Sequence, residues 1–162
     1  MIKQLLQKVW EKSAVKSAAK WSRYLPLGDY VVDRWEQATF LGFGEGSSIY
    51  DNSLVLGDVV VKKNTWIGPN TVLDGSGNLV IGSNCSISAG VQIYTHDSVQ
   101  WSVSGGEKEY EYAPTTIEDN CYIGPGVKMY GDIKIGSNTV FGANAVVNKS
   151  FTDGDCTLGG IP

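Results

Sequence analysis

The sequence predicts an all-β fold wound on a six-residue period and preceded by one α-helix, and three observations predict it. From residue 43 an aliphatic or aromatic residue returns at every sixth position. Asparagine, aspartate or glycine returns three positions after it. Glycine reaches 20 of 162 residues without the every-third spacing of a collagen helix, which marks frequent turns.

The apolar column reads Phe43, Ile49, Val55, Val61, Ile67 and Leu73, slips by two at Leu79-Val80, and resumes as Ile81, Ile87 and Ile93. It is interrupted over 99–116 and returns as Ile117, Ile123, Met129, Ile135, Phe141 and Val147. A period of six is not the 3.6 of an amphipathic helix, and turn formers come too often for long hairpin strands. Glycine often follows the apolar residue, as at Gly68, Gly82 and Gly136. The fourth position holds Asn64, Asn70, Asn84, Asn120, Asn138 and Asn144, residues that tolerate a left-handed corner. The fifth is small or β-branched, as at Ser47, Thr65, Cys85, Cys121 and Thr139, and fits the inside of a narrow coil.

These hexads resemble those of left-handed parallel β-helix proteins, whose triangular coils take three hexads per turn. The resemblance implies about five coils, paired at roughly 4.8 Å. Residues 1–30 form a separate unit, an amphipathic helix and linker, and 31–162 form the β-helix with its excursion loop 99–116. In the helix Ile2, Leu5, Leu6, Val9 and Trp10 share one face, which Ala14, Ala18, Trp21 and Leu25 continue. Pro26 and Gly28 are expected to end it. Two readings stand for this helix: packing on the coil or a neighbouring subunit, or resting on an anionic membrane.

Composition excludes several classes. With 42% hydrophobic and 19% charged residues the chain can bury a core. No run of about 18 apolar residues offers a membrane span, and the N-terminus lacks the apolar block of a signal peptide. Three cysteines without a CxxC suit a reducing compartment, so a cytoplasmic location is expected, or the inner face of the membrane. Residues 1–23 carry a balance of +5 and the remainder −9, so the body of the chain would repel nucleic acid.

His96 is the only histidine. It occupies a corner slot and stands just before the interruption, so its imidazole should face outward beside a long loop. Imidazole accepts a hydroxyl proton near neutral pH, which an attacking alcohol requires. The segment VQIYTHD (91–97), the excursion, and the stretch from Pro114 to the GGIP ending resemble the hexapeptide acetyltransferases that modify sugars, including maltose, galactoside, O-antigen and capsule acetyltransferases. The resemblance implies an acetyl-CoA-dependent O-acetyltransferase, a homotrimer with CoA between subunits, a sugar or glycan acceptor, and His96 as general base. It also implies CoA contacts at Gly124 and Pro125, at Gly142 and Ala143, and at Asn148 and Lys149, where lysine suits a phosphate. Asn78 matches an asparagine near the acceptor.

Asp97 is expected to orient the imidazole from an inward slot, with Asp132 as the second choice. In the excursion, Trp101 and Tyr110 are candidates to stack on a sugar face. Cys85 and Cys121 should stack inside as reduced thiols. No metal is expected, because a β-helical carbonic anhydrase needs three histidines on zinc. Two alternatives remain: N-acetylation of a nucleotide-linked amino sugar, and a non-catalytic β-helix scaffold.

Overall fold

The computed structural model describes residues 1–161, and the period of six is realised as a parallel β-helix of about six turns. One face is a ladder of six short strands: Ser48–Ile49, Trp66–Ile67, Ser86–Ile87, Tyr122–Ile123, Val140–Phe141 and Thr157–Leu158. Each pairs in parallel with the next, Ile49 opposite Ile67 and Ile67 opposite Ile87. The second face stacks Val72, Gln92, Lys128 and Val146 in register. The third stacks Leu79–Ile81, Thr115–Ile117 and Ile133–Ile135.

The apolar column fills the prism. Ile49, Ile67, Ile87 and Ile123 are fully buried on the first face, as are Leu73, Ile93 and Met129 on the second. Burying one such side chain contributes about 1.5–3 kcal/mol, so the stacked column is the main source of stability. Corners fall where the fourth position stands: Asn64, Asn70, Asn84, Asn120, Asn138 and Asn144 all have φ between 55° and 61°. Before the first face the fifth position forms a polar column inside the coil, whereas before the second it holds Val91, Val127 and Ala145. In the polar column Thr65 Oγ1 donates to the Gly82 carbonyl at 2.7 Å, and Cys85 Sγ to that of Glu118 at 3.2 Å. Cys85 and Cys121 are buried free thiols.

Four features differ from the sequence expectation. The turns number six rather than five, because Phe151 bridges to Ile135 and Thr157–Leu158 pairs with Val140–Phe141 beyond the last apolar hexad. The two-residue slip lies earlier than Leu79-Val80: Gly57 pairs with Gly75 but Val59 with Leu79, so the extra residues bulge out between Gly75 and Leu79. Helix α1 spans Ile2–Trp21 and stops at Ser22, whose φ of 52° turns the chain before Pro26 is reached. Two short helices follow, α2 (Gly28–Val31) and α3 (Arg34–Phe40). A capping box of Asp33 and Glu36 starts α3, which seats buried Ala38 against the first coil. Of α1, only Ala14 is buried.

Candidate functional site

The site is built where the bulge meets the excursion. Asp74 follows Leu73 on the second face, in the position that glycine holds in many other hexads. Its side chain is fully buried. Both carboxylate oxygens are saturated: Oδ1 accepts from Ser76 N at 3.0 Å and Ser76 Oγ at 2.6 Å, and Oδ2 accepts from Thr95 N at 2.9 Å. The fourth partner is His96, whose Nδ1 lies 2.6 Å from Oδ2. Burial alone would raise the carboxyl pKa, but the hydrogen bonds from Ser76, Thr95 and His96 outweigh it and lower it to about 2. The bulge supplies the Ser76 contacts, since the two added residues let the chain double back on Asp74.

An ionised Asp74 accepts, so the bonded Nδ1 is the donor. The neutral imidazole then carries its lone pair on Nε2, away from the carboxylate. His96 keeps 32% of its side-chain surface exposed, enough for a hydroxyl to approach. The excursion closes over it. His96–Asp97 pairs antiparallel with Glu111–Tyr112, and helix α4 (Val99–Val103) fills the turn between them. Tyr110 stacks with the imidazole at 6.2 Å and 10°, Tyr112 lies at 6.5 Å, and Trp101 meets Tyr110 edge-on at 5.6 Å. Trp101 and Tyr110 are thus brought to His96, and Tyr112 joins them as a further aromatic wall.

Asp97 does not orient the histidine. It is exposed rather than inward, and its Oδ1 accepts from Val99 N at the start of α4. The coil has already opened into the excursion there, so no inward slot exists for it. Asp132 is exposed as well, on a corner beyond the Met129 rung. Asp74 was missed because it precedes the bulge. The signal was present, an aspartate where the coil takes glycine. Asn78 sits exposed in the bulge with φ 77°. It is one residue past Gly77, whose N–H donates to Thr95 Oγ1 at 2.8 Å.

The CoA candidates fall on two corners. Gly124, Pro125, Gly142 and Ala143 lie between the first and second faces, whereas Asn148 and Lys149 follow the second face, as His96 does. Gly124 is required by packing: a Cβ there would stand 2.6 Å from the Phe141 carbonyl oxygen. Gly142 is not, since its nearest neighbour would be 3.6 Å away. Pro125, Ala143, Asn148 and Lys149 are exposed, and Lys149 Nζ stands over the Phe151 ring at 5.5 Å. Among the described residues, no group of three or more His, Cys, Asp or Glu side chains is placed to hold a metal ion.

Comparison with known proteins agrees with the repeat and the fold. Residues 114–149 match the bacterial transferase hexapeptide repeat model. Over 96 residues the chain is 38% identical to a serine acetyltransferase of Staphylococcus aureus, covering 59% of this chain and 43% of that protein. The chain spans less than half the length of the first curated relatives it matches. A hexapeptide-repeat-containing acetyltransferase of Vibrio cholerae shares the fold, with a TM-score of 0.66 at 24% identity over 97% of this chain and 88% of that one. A variant of AntD, an N-acyltransferase from Bacillus cereus in complex with dTDP and coenzyme A, also reaches 0.66, at 19% identity over 74% and 68% of the two chains. By fold the chain is a parallel β-helix, and by its repeat over residues 114–149 and its relatives it is similar to bacterial hexapeptide-repeat acetyltransferases.

Proposed function

We propose that the protein is an acetyl-CoA-dependent O-acetyltransferase that acts on a hydroxyl of a sugar or polysaccharide precursor. The observation that carries this reading is the His96 Nδ1–Asp74 Oδ2 bond of 2.6 Å beneath an aromatic wall. Acetyl-CoA supplies an electrophilic thioester and a thiolate leaving group. His96 Nε2 takes the acceptor hydroxyl proton as its oxygen attacks, and returns it to the departing sulfur. Asp74 stays ionised throughout, fixing the tautomer and stabilising the imidazolium that forms between the two transfers. Gly142, Asn148 and Lys149 are the residues we assign to the CoA arm and phosphates.

The excursion favours an uncharged acceptor over a nucleotide-linked amino sugar. Asp97, Glu107, Glu109 and Glu111 are exposed around the aromatic wall, and Lys108 is the one cation in that loop. Such a rim repels phosphates and leaves Trp101, Tyr110 and Tyr112 to stack on a sugar face. The Gly124–Ala143 corner and the His96–Lys149 corner are separated by a face of the prism. A homotrimer in which one subunit's first corner meets the next subunit's second corner would bring them together. With acetyl-CoA as donor, the reaction belongs in the cytoplasm or on the inner membrane face.

The test is acetyl-CoA turnover against neutral sugars and nucleotide-linked amino sugars, with His96→Ala alongside. CoA release that depends on a hydroxyl acceptor and collapses in the variant supports the proposal. Amine-dependent turnover that survives the substitution would assign the N-acetyl reaction instead, and no acetyl-CoA binding at all would leave a scaffold.

A further inference from the structure

Helix α1 is largely uncovered. It is 20 residues long, about 30 Å, and of its side chains only Ala14 is buried. At 100° per residue, Ile2, Leu5, Leu6, Val9 and Trp10 fall within an arc of about 140°. All five are uncovered, with exposures from 37 to 74%. A free apolar stripe of this size on a charged helix calls for a cover.

A second feature begins beside the stripe and continues past its end, Lys8 and Lys12 flanking the apolar arc and Lys16 and Lys20 coming onto it beyond Trp10. Lys8, Lys12, Lys16 and Lys20 are spaced four apart, so each stands next to the following one on the helix surface. Like charges at that spacing repel and weaken the helix. Within the chain only Lys20 has a neighbour that offsets its charge, the Trp21 ring 4.7 Å from its Nζ. Glu11, the single acid of residues 1–23, takes its hydrogen bond from Gln7, and the ion pairs among the described residues are His96–Asp74 and Lys134–Glu118. The lysine row and the apolar stripe therefore need one partner that is anionic at its surface and apolar just beneath. Trp10 and Trp21 add amphipathic rings suited to that boundary. No described helix is long and apolar enough to cross a membrane, so α1 would lie in the surface rather than span it.

We propose that α1 is a docking surface for an anionic lipid bilayer, lying in the headgroup plane with Leu5, Leu6, Val9 and Trp10 inserted and its lysines on lipid phosphates. The inference stands on α1 alone and is independent of the reaction assigned to His96.

The experiment is co-sedimentation of the full chain with phosphatidylcholine vesicles, with and without phosphatidylglycerol, at low and high salt. Binding is expected to need the anionic lipid and to fall as salt rises. A Lys12→Gln, Lys16→Gln double variant should weaken it by about 25-fold, at roughly fivefold per lysine. A Leu5→Gln, Val9→Gln variant should lose binding at every salt concentration. Far-UV circular dichroism and a thermal melt show whether the coil stays folded in each variant. The proposal is overturned if the unaltered chain ignores phosphatidylglycerol vesicles, or if both variants bind them as well as it does. It is also overturned if vesicle binding is absent and the stripe variant instead breaks up an oligomer, for then a second copy of the chain covers the helix.

Discussion

Asp74 Oδ2 and His96 Nδ1 lie 2.6 Å apart across 22 positions of sequence, and each oxygen of Asp74 already accepts from another donor. Replacing Asp74 by asparagine keeps the shape and changes the hydrogen count. If the amide nitrogen takes the place of Oδ2, it faces the Thr95 N–H, donor against donor, and turns His96 Nδ1 into an acceptor. The Nε2 proton then blocks the base. Turnover by Asp74→Asn is expected to fall by about 10²–10⁴-fold, with acetyl-CoA affinity little changed. Steady-state kinetics beside a binding isotherm checks this, and a large loss of acetyl-CoA affinity would place Asp74 elsewhere in the mechanism.

Acid stability should report the same carboxylate. Its pKa is lowered from 3.8 to about 2, so the folded state favours the ionised form. That contribution is complete above the ordinary value of 3.8 and is lost as pH falls from there towards 2. It amounts to about 2 kcal/mol. Denaturant titrations of the unaltered chain should therefore show a fall in stability over this window that is absent from Asp74→Asn.

Asp29 in α2 has the opposite character. It is buried, Oδ1 accepts from Asp51 N at 3.1 Å, and Oδ2 has no partner. Burial raises its pKa, the charge of Asp51 adds to this, and the Asp51 N–H and Arg34 oppose it. The strain is therefore present once pH rises above the ordinary value of 3.8 and absent below it. Asp29→Asn is expected to stabilise the fold at neutral pH by about 1 kcal/mol, or about 2–4 °C. The gain should vanish in acid, and a gain that persists at low pH would tell against burial of charge as its source.

Two glycines separate packing from binding. Gly124→Ala must displace the Phe141 carbonyl and is expected to destabilise the coil by about 1–3 kcal/mol. Gly142→Ala has room and should change stability by no more than about 0.5 kcal/mol. If the pantetheine arm passes Gly142, its alanine variant will nonetheless raise the KM for acetyl-CoA. An unchanged KM would remove Gly142 from the CoA path.

The aromatic wall should act on the acceptor alone. Trp101→Ala and Tyr110→Ala are each expected to raise the acceptor KM by about two- to tenfold, since stacking contributes about 0.5–1.5 kcal/mol per pair. Acetyl-CoA binding measured by calorimetry should not move. Parallel losses for both substrates would mean that the excursion supports the whole site rather than one substrate.

The repeat was legible because each position has its own physical requirement. Asn70 and Asn84 sit at left-handed corners, Thr65 and Cys85 point inward, and the isoleucines form the column, all as the sequence implied. The site was less legible, since it arises where the period fails. His96 stood out by its slot before the interruption. Asp74 did not, because the bulge after it sets the stacking, and spacing alone placed the slip at Leu79-Val80 instead of before it. Asp97 misled for the same reason: the inward rule applies only while the coil continues. The sixth turn was hidden because Phe151 and Leu158 depart from the hexad spacing.

The excursion leaves and rejoins the coil at almost one point. His96 pairs with Tyr112, and Ala113 N donates to the Thr95 carbonyl at 2.9 Å, so entry and exit are stapled side by side. The rungs above and below never register how long the detour is. The length of the excursion is thereby uncoupled from folding. On the function proposed above, exchanging the segment between Asp97 and Glu111 as a cassette would retarget the dyad to a new alcohol while the rungs of the prism stay unaltered.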